Sequence, residues 1–150
     1  MTDETAPANT RTPTATTLTG LRRGAFIGYR WLLLAFLLLG LVQIFLAGLG
    51  IFDLHGQELG APGETAFDPH RTLGFAMGGV ALIILVLALI ARPDVRTVIL
   101  AAVLFLLAFL LQSILAALGE DTPFFGGLHA LDGIVILGIA GFLQGSSRRR

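Results

Sequence analysis

The 150-residue chain contains no cysteine. That absence excludes disulfides, thiolate nucleophiles, thiolate metal sites and covalent attachment of a c-type haem. Lysine is also missing, so all ten basic residues are arginine, a composition bias that carries no functional meaning by itself. Charged residues make up only 13% and the formal net charge is +0, so nothing points to nucleic acid or to an acidic partner. No nucleophile with a neighbouring base and no phosphate loop is present, which leaves the chain without an enzyme assignment and leaves any redox chemistry to a cofactor. What the chain has in excess is apolar: 55% hydrophobic residues and a mean hydropathy of +0.83. A soluble domain carries more polar surface than this, so lipid is the solvent for most of the length.

Residues 1–20 are rich in Thr, Ala and Pro without apolar periodicity, and read as a disordered tail. Arg22-Arg23 is a weak twin-arginine resemblance. The apolar run behind it is too long for a signal peptide, so the pair reads as a topogenic anchor. A transmembrane domain over residues 21–147 follows, with four apolar runs at about 31–52, 67–91, 95–118 and 124–144. Each is close to the ~20 residues that cross a hydrocarbon core. Pro93, inside the cluster Arg92, Asp94 and Arg96, predicts a tight turn and an antiparallel hairpin. Arg22, Arg23, Arg30, Arg92, Arg96 and Arg148–Arg150 fall at one end, near Tyr29 and Trp31. Asp53, Glu58, Glu64, Asp68, Glu120 and Asp121 fall at the other, with Arg71 alone among them. The positive-inside rule then predicts both termini in the cytoplasm of a bacterial cell, in a multi-pass protein of the cytoplasmic membrane.

The chain carries an internal similarity. FLLLGLVQIFLAGLG (36–50) aligns without a gap on FLLAFLLQSILAALG (105–119), and pairs Gln43 with Gln112. Leu and Ala matches are cheap in lipid-facing sequence, but a membrane-embedded amide is not. His70, Gly74, Gly79 and Ala81 then share their spacing with His129, Gly133, Gly138 and Ala140, while the outer connection is ten residues shorter in the second copy. The fold expected is an all-α membrane protein, a four-transmembrane-helix bundle of two tandem two-helix repeats. Both copies run in the same direction, so the pseudo-twofold axis lies along the membrane normal.

His70 and His129 each fall about one turn into an outward-starting helix, with Gly74 and Gly133 one turn deeper on the same face. A glycine there leaves room below the imidazole for a flat macrocycle. Gly78 adds a small-xxx-small face to the second helix, which permits close helix approach. Two imidazoles opposed across a four-helix bundle are the arrangement that ligates a b-type haem iron. Arg71 is a candidate partner for a propionate. Asp132 is an intramembrane acid in need of a partner, with Arg71 and an imidazole N–H as candidates. Gln43 and Gln112 are candidates for hydrogen bonds that support the ligands.

Blander readings stand beside this one. The histidines and glutamines can serve interhelical packing alone, in a cofactor-free packing or assembly protein. Alternatively His70, His129 and Asp132, with His55 from the outer loop, are candidates for a divalent ion. Against transport, the inner half of every helix reads as apolar. His55 otherwise reads as a solvated loop residue.

The runs DPHRTLG, LLQSILAALG and GLHALDG resemble one four-helix half of haem A synthase, and the overall pattern is similar to an uncharacterised family of small four-span bacterial proteins. The first resemblance implies His70 and His129 as the ligand pair of one haem b, Arg71 as the residue after the first ligand, and a membrane redox partner besides the lipid bilayer. The chain departs from that family in having a single half and no cysteine pair. Its only rough equivalent of the acid before the first histidine is Asp68, at a different spacing. These departures argue against haem A synthase activity itself.

Overall fold

The computed structural model describes residues 20–59, 61 and 64–149. Four helices in it are long and apolar enough to cross a membrane: α1 Gly20–Asp53, α2 Asp68–Ala91, α3 Val95–Asp121 and α4 Pro123–Arg148. The chain is an all-helical multi-pass membrane protein. A helix satisfies every backbone group within its own segment, which the hydrocarbon core demands.

Local chemistry sets the breaks. Pro69 sits in the first turn of α2, where its missing N–H is no loss. Arg92 ends α2 in the left-handed region, φ 47°, with its N–H on the Ala88 carbonyl. Asp94 then caps α3: one carboxylate oxygen accepts from the Thr97 N–H at 2.9 Å and the other from the Thr97 hydroxyl at 2.7 Å. At the far end Thr122 alone separates α3 from α4, and Pro123 opens α4. A Cβ on Gly119 would sit 3.0 Å from Gly126 backbone, so this tight crossing requires glycine. The long connection, 54–67, joins α1 to α2.

The bundle is a four-cornered one. α1 and α3 each pack on both α2 and α4, while α2 and α4 face each other across the diagonal. The core is formed by Tyr29, Leu33 and Phe36 of α1 with Met77, Ala81, Ile84 and Ala88 of α2, Ala101 and Leu104 of α3, and Ile136, Ala140 and Leu143 of α4. Large side chains on one helix meet alanines on the next. In lipid, where apolar residues gain nothing by leaving the tails, helices are held by such close packing. Gly40 admits the Leu137 side chain, and a Cβ on Gly78 would lie 2.7 Å from the Phe109 ring, so the close approach expected at Gly78 is realised against α3. Ile44, Phe45, Phe75 and Ile134 point outward, where lipid covers them.

Three features depart from the sequence reading. α1 begins at Gly20 rather than near residue 31. Hydropathy marks the hydrocarbon edge, and Arg22, Arg23 and Arg30 do not stop a helix there. α3 is not uniform: residues Leu106–Leu111 form a π-helical segment, and the Gln112 N–H bonds the Leu107 carbonyl. The Arg-rich half is not wholly apolar inside, since Thr97, Gln144 and Ser147 are buried there. The expected tail, 1–20, lies outside the described residues except for Gly20, which belongs to α1.

Candidate functional site

The acid-rich end of the bundle holds two hydrogen-bonded clasps. On the α1–α2 pair, the Gln43 side-chain N–H donates to the His70 carbonyl at 2.8 Å, and His70 Nδ1 meets the Gln43 carbonyl at 3.1 Å. On the α3–α4 pair, Gln112 donates to the His129 carbonyl at 3.0 Å, and His129 Nδ1 meets the Gln112 carbonyl at 3.2 Å. Each clasp is reciprocal: an amide on one helix reads a carbonyl on the next, and the imidazole answers.

The neighbouring residues explain why these carbonyls can be reached. In a helix the Cα–Cβ bond tilts toward the N-terminus, so the residue at i+4 leans over the carbonyl of residue i. Gly74 and Gly133 stand four residues after the histidines, and Ala47 and Ala116 four after the glutamines. A Cβ on Gly74 would lie 3.1 Å from the Gln43 amide nitrogen, and one on Gly133 would lie 3.5 Å from that of Gln112. The space beside each glycine is therefore taken by a glutamine amide.

A carbonyl oxygen only accepts, so Nδ1 of each histidine carries the proton that is donated. The remaining ring nitrogen, Nε2, is then the basic one in the neutral imidazole. Fixing Nδ1–H on a carbonyl is how proteins set a histidine for ligation through Nε2. The two rings approach each other across the α2–α4 diagonal with centroids 6.1 Å apart and planes inclined at 65°. Phe67 packs its ring edge-on to His70, centroids 6.1 Å apart.

Above His70, Arg71 is held by carboxylates. It bonds Glu64 at 2.9 Å, Asp68 at 3.4 Å and Glu120 of α3 at 3.5 Å. The Glu64 side chain is 1% exposed, and its other oxygen accepts from the Phe67 N–H at 3.0 Å. Arg71 therefore does not pair with Asp132. Asp132 is 8% exposed, one turn deeper than His129, and its Oδ2 is buried without a hydrogen-bond partner, as is Gln43 Oε1. His55 lies apart, exposed on the loop, with Nδ1 on the Asp53 carbonyl at 2.7 Å. Among the described residues no group of three or more His, Cys, Asp or Glu side chains converges as a metal site.

Sequence reasoning placed His70, His129, Gln43, Gln112, Gly74 and Gly133 in the same region, and the structure brings them together. It missed Glu64. An acid in a Gly/Pro-containing loop reads as solvated, and no residue pattern marks this one out.

The chain belongs to a family of unknown function, DUF6220, whose model matches residues 43–118. That stretch contains Gln43, His70 and Gln112 and stops short of His129. No curated protein and no solved structure matches the chain. The likeness to a half of haem A synthase therefore rests on its short motifs alone.

Proposed function

We propose that this member of the DUF6220 family binds one b-type haem at the acid-rich end of its bundle, through His70 and His129, and serves electron transfer or haem handling in the membrane. The observation that supports this reading is the pair of imidazoles 6.1 Å apart, each with Nδ1 tied to a glutamine carbonyl. The two rings stand close enough that His70 and His129 would hold one haem iron as a pair. The donor set also discriminates. A divalent ion held by protein alone needs three or four ligands, and those do not converge among the described residues. A haem iron needs only two, because the macrocycle supplies the rest.

In this reading His70 and His129 would ligate the iron, and Gln43 and Gln112 would orient the two rings. Asp132 is an uncompensated acid beside His129. Arg71 is the cation nearest a propionate, which would have to share it with Glu64, Asp68 and Glu120. A bound b-type haem supplies one-electron redox chemistry. The Arg-rich end, by the positive-inside rule, faces the cytoplasm, so the site faces the opposite surface of a bacterial inner membrane.

The test is a reduced-minus-oxidised visible spectrum of protein purified from haem-replete cells. A b-type band is expected, and loss of it in both His70→Ala and His129→Ala. Absence of the band in the unaltered protein contradicts the proposal.

A second reading rests on the same hydrogen bonds: the clasps only staple α1 to α2 and α3 to α4, in a cofactor-free assembly protein. Asn carries its amide nitrogen where His carries Nδ1, so His70→Asn keeps a donor for the Gln43 carbonyl and removes the ligand. The haem reading expects the band to vanish while the melting temperature of haem-free protein stays within a few degrees. The staple reading expects no band in either form.

A further inference from the structure

At the Arg-rich end, on the face that α3 and α4 turn toward lipid, an open groove of about 320 Å³ is lined by Arg96, Leu100, Val135, Gly138, Ile139 and Phe142. Its lining is ordered along the bilayer normal. Arg96 belongs to the first turn of α3 and Phe142 to the last two turns of α4, so both sit at the mouth. Leu100 is one turn deeper on α3, and Ile139, Gly138 and Val135 run deeper along α4. The groove leads from a cation at the membrane surface into an apolar slot.

Gly138 makes the slot. A Cβ there would meet nothing within 4 Å, so the glycine is not required by packing inside the chain. Arg96 makes the mouth. Its guanidinium carbon lies over the Phe142 ring, 5.0 Å from the centroid. A guanidinium carries five N–H donors suited to a phosphate oxygen.

We infer that this groove is a binding site for one anionic phospholipid, with the phosphodiester on Arg96 and an acyl chain laid over Gly138. Basic pockets between transmembrane helices at the cytoplasmic surface recognise acidic headgroups in this way. A zwitterionic lipid fills the apolar slot equally well, but its ammonium offsets the attraction of Arg96. One arginine near the surface corresponds to a preference of about five-fold for the anionic lipid. The inference does not depend on haem.

The experiment uses the full chain in detergent, equilibrated with equal amounts of phosphatidylglycerol and phosphatidylcholine, with retained lipid counted by native mass spectrometry. The unaltered protein should retain one phosphatidylglycerol about five-fold over phosphatidylcholine. Arg96→Gln should bring that ratio to one. Gly138→Leu should remove both retained lipids at an unchanged melting temperature, because its side chain enters open space. Arg149→Gln, outside the groove, should leave the ratio unchanged. The inference is overturned if Arg96→Gln keeps the preference, which marks general charge attraction. It is equally overturned if Gly138→Leu keeps its lipid, or if that variant converts a dimer to a monomer, which assigns the groove to a second copy.

Discussion

The two Gln–His clasps are the same hydrogen-bonded device set in different surroundings. Around His70 the device is tight and capped: the amide bond is 2.8 Å, Gly74 has no spare room, and Arg71 sits under three carboxylates. Around His129 the amide bond is 3.0 Å, Gly133 has ordinary clearance, and the residue after the histidine is Ala130. What the second clasp has instead is Asp132, where the first has Leu73, and a π-helical segment just before its glutamine, where α1 is regular. The difference separates what presents an imidazole from what surrounds it. Glutamine, histidine and the small residues at i+4 suffice for presentation, and the charged groups differ freely around them.

The largest expected effect falls on the cap, which only the first clasp has. Arg71→Gln leaves the buried Glu64 carboxylate facing a neutral amide. Arg71 is a third exposed, so the cost is well short of a fully buried pair, about 1–3 kcal/mol. Thermal melting in detergent should show it, and Glu64→Gln added to Arg71→Gln should recover part. No loss on Arg71→Gln would mean the cap is ornamental.

A smaller effect is expected from the clasps. Gln43→Leu and Gln112→Leu each remove an interhelical amide, worth about 0.6–1.7 kcal/mol in membrane bundles. The first should cost more than the second, in keeping with its shorter bond. Equal losses would say that the distance difference carries no energy.

The smallest effect separates the glycines. Gly74→Ala puts a methyl 3.1 Å from the Gln43 amide and should lower the melting point slightly. Gly133→Ala, at 3.5 Å, is ordinary contact and should be neutral or stabilising by up to about 1 kcal/mol, since alanine favours helix. A reversed order would show that the spacing at Gly74 and Gly133 is set by something other than the glutamine amides.

Much of this was legible in the sequence, for definite reasons. Apolar runs of bilayer length fix four spans, and Pro93 fixes the break between the second and third. The paired Gln43 and Gln112 stood out because an amide in a membrane helix needs a partner. What the amide binds was not legible, because backbone carbonyls leave no mark in sequence; the glycines also leave the histidine carbonyls within reach of the amides. Glu64 looked like loop surface. Thr97, Gln144 and Ser147 were lost among apolar neighbours. The π segment, Leu-Leu-Ala-Phe-Leu-Leu, contains no helix breaker and gave no warning. Asp132 was recognised as an acid in need of a partner, but Arg71, one of its expected partners, is committed to Glu64.

The central claim is that both clasps act together, presenting two imidazoles to one iron. Electron paramagnetic resonance of the ferric protein tests that directly. The account predicts a low-spin bis-imidazole signal that is lost when either His70 or His129 is replaced by Ala. A high-spin signal in the unaltered protein, or no haem iron at all, would contradict it.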